Sequence, residues 1–152
     1  IAHYCPCGLP DVVQTQPRLP DGTPFPTLYY LTCPRASAAI SRLEAAGVMR
    51  GMQARLAADS ALHAAYLAAH ADYLARRADA ARAAGQEPLP AGTQSAGGMP
   101  DRVKCLHALA AQELAVPGVN PLGAVAVREA GSWWEAGQCV PDTSGQAGEA
   151  NG

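Results

Sequence analysis

The sequence predicts an α+β fold: an N-terminal β-hairpin segment packed on a body of four to five α-helices. Three observations lead there. Residues 1–35 are rich in proline and glycine, and their β-branched and aromatic residues fall in two short runs. From Ala36 onward, apolar residues recur at helical spacing, with alanine supplying 33 of the 152 residues. Glycine and proline then punctuate the helical stretches at Gly47, Gly85 and Pro117-Gly118. A chain of 152 residues and 15.6 kDa has room for one ordinary domain. That domain is expected over 1–140, and the apolar-poor tail 141–152 is expected to be disordered.

Each element has a local reason. Residues 11–15 read as a short strand centred on Val12 and Val13, and residues 27–32 as a stronger one. Between them, Pro20-Asp21-Gly22-Thr23 is a turn: proline fixes φ and glycine supplies a positive φ. Symmetric pairing about Asp21-Gly22 sets Cys33 opposite Pro10, so both cysteine segments reach the hairpin's open end. Pro17, Pro20, Pro24 and Pro26 leave that register open by a residue or two.

Ser37 is the expected cap of the first helix, with Ala39, Ile40, Leu43 and Ala46 on one face until Gly47. Residues 48–58 continue with Met49, Met52 and Leu56. Asp59-Ser60 caps a long helix over 61–84, stopped by Gly85. Its stripes, Leu62-Tyr66-Ala69-Tyr73 and His63-Leu67-His70-Leu74, lie side by side on one broad face. Asp72 and Arg76 form an i,i+4 pair. Residues 85–100 make a loop long enough to be functional or disordered. Asp101 is expected to cap a helix to Ala115, with Val103, Leu106, Ala110 and Leu114 facing the core. Asn120-Pro121 starts a last helix, with asparagine as cap and proline at its first position.

The formal charge of −2 and pI near 6.1 argue against a general nucleic-acid or membrane-surface binder. No apolar run reaches the roughly 18–20 residues of a membrane span, and the given sequence shows no basic-then-apolar leader, although it opens at Ile1 rather than Met and so leaves room for a preceding piece. The expected compartment is therefore the cytoplasm, where thiols stay reduced. Ten of the eleven basic residues are arginine, a bias of a GC-rich genome rather than a functional sign.

The chemistry concentrates in Cys5-Pro6-Cys7-Gly8, Cys33-Pro34 and Lys104-Cys105-Leu106-His107. Thiolates are preferred ligands of zinc and of iron–sulfur iron, so Cys5, Cys7, Cys33 and Cys105 form the candidate metal set. The C-x-C spacing is one residue short of the usual chelating turn. Reduced, buried cysteines and a disulfide are the competing readings. Cys139 stands outside the set. On a helix begun at Asp101, Cys105 and His107 lie about 200° apart and cannot share a metal unless the helix starts late.

Lys104 and His107 share a face. With Arg102, Asp101 and the helix N-terminus they could receive an anionic ligand, and Arg35 is a further candidate ligand-binding residue. Lys104 and His107 are the candidate catalytic residues, His107 as proton donor or acceptor. A solvated basic face is the plainer alternative. His63 and His70 are about 10 Å apart along the axis and do not chelate; a part-buried structural role suits them better. Trp133-Trp134 is either a core plug or a partner-binding patch. Gly97-Gly98-Met99-Pro100-Asp101 can bring backbone N–H groups near a phosphate, or is simply the exit of a loop.

Several long strings carry a resemblance: Cys5-Pro6-Cys7-Gly8-Leu9-Pro10, the run from Asp21 to Pro34, the run from Gly97 to Ala108, and Asn120-Pro121-Leu122-Gly123. Over about residues 1–123 the chain resembles the bacterial, mainly actinobacterial, domain of unknown function 501 family. The resemblance implies a cytoplasmic protein whose gene neighbours encode septum-formation and exopolyphosphatase-like proteins. It assigns no reaction. The family's first element, C-P-x-G-x-P, leaves Cys7 in a free position and Cys5, Cys33 and Cys105 as the matched thiols. Three thiols imply either zinc with a fourth ligand, from Cys7 or a histidine, or an iron–sulfur cluster with one open iron.

The expectation is thus a metalloprotein with its site between the hairpin's open end and the 101–115 helix, acting on a phosphate-bearing small molecule. The alternative is a non-catalytic interaction module with structural cysteines, in which Trp133-Trp134 and the tyrosine stripe meet a cell-division or envelope partner.

Overall fold

The computed structural model describes residues 1–140; the expected disordered tail, 141–152, lies outside the described residues. Strands β1 (His3–Tyr4), β2 (Pro10–Gln14) and β3 (Tyr29–Leu31) form an antiparallel sheet in that order. Val12 pairs with Leu31, Val13 with Tyr30 and Gln14 with Tyr29, so the hairpin adopts the register symmetric about Asp21-Gly22. Thr32 N–H bonds Asp11 O at 2.8 Å, carrying the pairing to the cysteine end. Strand β1 was not expected, because two residues carry no alternation. It is held by pairing with β2 and by a 2.7 Å contact from His3 Nδ1 to the fully buried Asp11.

Five helices follow: α1 (Pro34–Ala45), α2 (Val48–Ala58), α3 (Ser60–Ala83), α4 (Leu106–Ala115) and α5 (Pro121–Ala130), then a 3-10 turn over Trp133–Ala136. The α+β prediction describes this chain. Two helix starts need correcting. Helix α1 begins at Pro34 with Cys33 as its extended N-cap, not at Ser37, because proline's fixed φ is already helical and its missing N–H costs nothing in the first turn. Helix α4 begins at Leu106 with Cys105 as N-cap, not at Asp101. The segment before it is drawn out by tertiary bonds: Tyr66 donates to Arg102 O at 2.8 Å, and Gln53 accepts from Val103 N–H at 2.9 Å.

The other caps match their residue types. Asp59 accepts from the N–H groups of Ala61 and Leu62 at 3.0 Å, and Asn120 from Gly123 at 2.8 Å. Gly47 turns the chain between α1 and α2 at φ +80°.

The main core joins Val12, Leu28 and Tyr29 to Ile40, Met52, Leu56, Tyr66, Tyr73, Leu106, Leu109 and Leu122. Of the two stripes on α3, the tyrosine one is buried, whereas Leu67 of its neighbour faces solvent. Several polar groups inside are partnered across elements. Gln112 on α4 donates to Ala69 O on α3 at 2.9 Å and accepts from Asn120 Nδ2 at 2.8 Å. Arg77 reaches the carbonyls of Pro26 and Gln94 at 3.0 and 2.6 Å, tying the 85–100 loop to the hairpin. A second, smaller core holds Cys5, Cys33, Ala36, Ala39, Trp133 and Cys139. No helix among the described residues is long and apolar enough to cross a membrane.

Candidate functional site

Three segments far apart in sequence deliver the cysteines. Cys5 follows β1 in a tight turn in which Gly8 N–H bonds Cys5 O and Cys5 N–H bonds Leu9 O, both at 2.8 Å, with Gly8 at φ +93°. Cys33 caps α1. Cys139 follows the 3-10 turn, and Arg35 Nε holds its neighbour Gln138 by the carbonyl at 3.0 Å. The sulfurs of Cys5, Cys33 and Cys139 all lie within 4.8 Å of one another, and each residue is 3% exposed. Cys5 Sγ and Cys139 Sγ are 3.8 Å apart. The exposed Cys7 lies in the same turn as Cys5, outside the three sulfurs within 4.8 Å but near enough that the Cys5 and Cys139 thiols help lower its pKa. All five cysteines are free thiols among the described residues.

The surroundings act on these thiols in opposite directions. Backbone N–H of Cys7 points at Cys5 Sγ from 3.5 Å. A backbone hydrogen bond from Leu9 is the main cause lowering the Cys7 pKa below that of an ordinary thiol. Burial pushes the Cys5 and Cys139 thiols up. Trp133 packs against Cys5, and its indole N–H is buried with no oxygen or nitrogen partner among the described residues. A buried donor left over beside a sulfur cluster is the kind of group that a metal-bound thiolate satisfies. These residues fit a metal ion.

The position of two cysteines departs from the sequence reading. Cys139, expected outside the set, is at its centre. Cys105, expected beside Cys5 and Cys33, stands instead with Glu44 and His107, whose ligand atoms and its own all lie within 4.8 Å of one another. Because α4 starts late, Cys105 is extended at φ −148°, and the helical argument separating it from His107 does not apply. No local signal marks Cys139 or Glu44, since each is brought in by tertiary packing. Trp133 acts as a plug over the cysteine core, at 7% exposure.

A cleft of about 640 Å³ lies elsewhere on the molecule, between the Pro26–Leu31 side of the hairpin and the segment from Gln94 to Ala108. It gathers Asp101, Arg102, Lys104, Cys105 and His107, but not Arg35, which lines a separate hollow with Arg42, Trp133 and Cys139. Arg102 and Lys104 are exposed and form no ion pair among the described residues. Their backbone is fixed: Arg102 N–H bonds Gly98 O at 2.9 Å and Lys104 N–H bonds Gly97 O at 2.7 Å. Gly98 has φ +93°, and a Cβ there would stand 2.8 Å from Arg102 O, so the glycine pair shapes this loop. Asp101 turns to His63 at 3.1 Å. His70 contacts Ser95 on the cleft wall at 2.7 Å, and burial is the main cause depressing its pKa.

His107 is held at both ring nitrogens. Nδ1 meets Glu44 Oε1 at 2.7 Å, while Nε2 is 3.2 Å from Ser37 O and 3.1 Å from Ser41 Oγ. The same Glu44 oxygen accepts from Leu106 N–H at 3.2 Å, so it caps α4 from α1.

No curated protein and no solved structure matches the chain. A model of the family described as "Protein of unknown function (DUF501)" matches residues 1–128, which takes in Cys5, Cys33 and the whole cleft segment but stops before Trp133 and Cys139. The chain belongs to that family.

Proposed function

We propose that this protein holds one zinc ion through Cys5, Cys7, Cys33 and Cys139 as a closed structural centre, and binds a phosphate-bearing small molecule in the cleft around Arg102 and Lys104. The observation that carries the metal reading is the sulfur spacing. Four zinc–sulfur bonds of about 2.3 Å at tetrahedral angles set sulfurs about 3.8 Å apart, and Cys5 and Cys139 stand at 3.8 Å. Such spacing suits one ion. A cubic iron–sulfur cluster needs its cysteines farther apart, because each binds a different iron. The reduced cytoplasm is the compartment we propose for these thiols.

The cleft supports the second half of the proposal. Two cations with no ion-pair partner among the described residues line the cleft on a braced loop together with tyrosine and proline, an arrangement suited to an anionic group on an organic body. With the ion in a closed site, the cysteines would join the two described ends of the chain rather than touch the ligand.

Paired variants separate this reading from one that uses Cys105. Cys139→Ser should lose the tightly held zinc, whereas Cys105→Ser should keep it, both read by metal analysis after passage through a weak chelator. Retention in Cys139→Ser together with loss in Cys105→Ser overturns the assignment.

A further inference from the structure

We infer that Glu44, Cys105 and His107 form a second divalent-cation site, open to the cleft and distinct from the four-cysteine centre. The donor set is carboxylate, thiolate and imidazole, and zinc accepts all three. Three protein ligands with a free position is the arrangement of zinc sites that bind water or substrate, whereas four cysteines make a closed one. The three ligand atoms already lie within 4.8 Å of one another, and all three residues are half-buried. Cys105 and His107 both line the cleft.

The outer contacts are those of metal ligands. A ligating histidine usually donates its second ring N–H to a carbonyl or carboxylate, which fixes its tautomer and angle. With His107 Nδ1 on the metal, Nε2–H faces Ser37 O at 3.2 Å. Glu44 is oriented in turn by Leu106 N–H. The 2.7 Å contact between Glu44 and His107 is a hydrogen bond, shorter than two atoms sharing a zinc ion stand, so binding requires that pair to part by about half an ångström. Half-buried side chains in the last turn of α1 and the first turn of α4 can make that movement.

This inference deepens the cleft half of the proposed function and rests on it for the ligand: a cation here would take a phosphate oxygen while Arg102 and Lys104 hold the rest of the charge. It does not depend on the four-cysteine centre. Cobalt(II) titration of the metal-free, reduced full chain tests it by counting equivalents from the absorption bands, backed by metal analysis. Wild type should take up two equivalents, with the second, weaker one giving less sulfur-to-cobalt charge transfer than the first. His107→Ala and Cys105→Ala should each take up one, and Cys139→Ser should keep the weaker site.

A single equivalent in wild type that persists in both His107→Ala and Cys105→Ala overturns the second site and leaves the first. A single equivalent lost in those two variants, but kept in Cys139→Ser, overturns the four-cysteine centre instead. Two equivalents in His107→Ala and in Cys105→Ala also overturn the inference. Far-ultraviolet circular dichroism of each variant identifies any that fails to fold, and Glu44→Gln, which retains an oxygen to cap α4, supplies a third, milder variant expected to weaken the second equivalent at least tenfold.

Discussion

Cys5 Sγ and Cys139 Sγ stand 3.8 Å apart although 134 positions separate them in sequence. The contact joins the turn after β1 to the segment after the 3-10 helix, and Cys33 links both to the start of α1. A metal held there cross-links three segments that are otherwise packed by a small core whose buried members besides the cysteines are two alanines and Trp133. Its removal should therefore be felt locally. Chelation should raise hydrogen exchange in residues 3–9 and 133–139, while the amides of α3 and α4, anchored in the main core, keep their protection. Uniform loss of protection across all helices would show that the ion supports the whole domain rather than this corner.

Asn120 is a fully buried side chain with two duties. Its oxygen caps α5 through Gly123 N–H, and its Nδ2 donates to Gln112. Asn120→Ala removes the cap and leaves the Gln112 oxygen without its donor in the interior. The two losses together should cost about 2–4 kcal/mol of stability, read as a lower urea midpoint with an unchanged slope. A change below about 0.5 kcal/mol, the size of an ordinary surface substitution, would contradict the network.

Lys104 is exposed, and its side chain makes no bond within the described chain, so its substitution should leave the fold alone. Lys104→Ala should weaken binding of inorganic phosphate or a simple phosphate monoester about tenfold or more, the loss expected for a charge-assisted bond. Calorimetric titration of wild type and variant at one salt concentration measures it. Equal affinities would remove Lys104 from the ligand site.

The pKa of His70 is held down by burial, with Arg77 nearby adding repulsion. A base whose folded pKa lies below its unfolded value favours the neutral form in the fold. Its full contribution is therefore present above the unfolded pKa of about 6.5. As pH falls below that value, the unfolded chain takes up the proton more readily and stability declines, until the folded pKa is passed. His70→Gln should flatten the decline that begins below about pH 6.5, measured as the difference between variant and wild-type midpoints in metal-free protein, so that acid release of metal does not intrude. Parallel curves for the two proteins would assign the acid sensitivity to other groups.

Much of the fold could be read locally. The hairpin register follows from the turn residues at Asp21-Gly22 because the two arms between the strands stay bonded down to that turn, through Thr15 N–H to Leu28 O, Phe25 N–H to Pro17 O and Leu19 N–H to Thr23 O. The caps at Asp59 and Asn120 are likewise properties of four-residue windows. The start of α4 was not legible that way: Asp101 is a good cap by type, but Gln53 and Tyr66, on two other helices, hold the backbone of 101–103 outside the helix. That difference decided the site. With α4 starting at Leu106, Cys105 leaves the cysteine set and joins Glu44 and His107, and Cys139 takes its place beside Cys5 and Cys33. Proximity between residues a whole chain apart has no local signature, and neither does a carboxylate on α1 reaching the first turn of α4.

The central claim is that four sulfurs hold one ion. X-ray absorption at the zinc edge, on reduced protein carrying one equivalent of zinc, tests it most directly. A closed four-cysteine centre gives a shell of four sulfurs at about 2.3 Å with no nitrogen or oxygen neighbour. A shell dominated by nitrogen and oxygen at about 2.0–2.1 Å, or zinc that washes away from the protein, would contradict it.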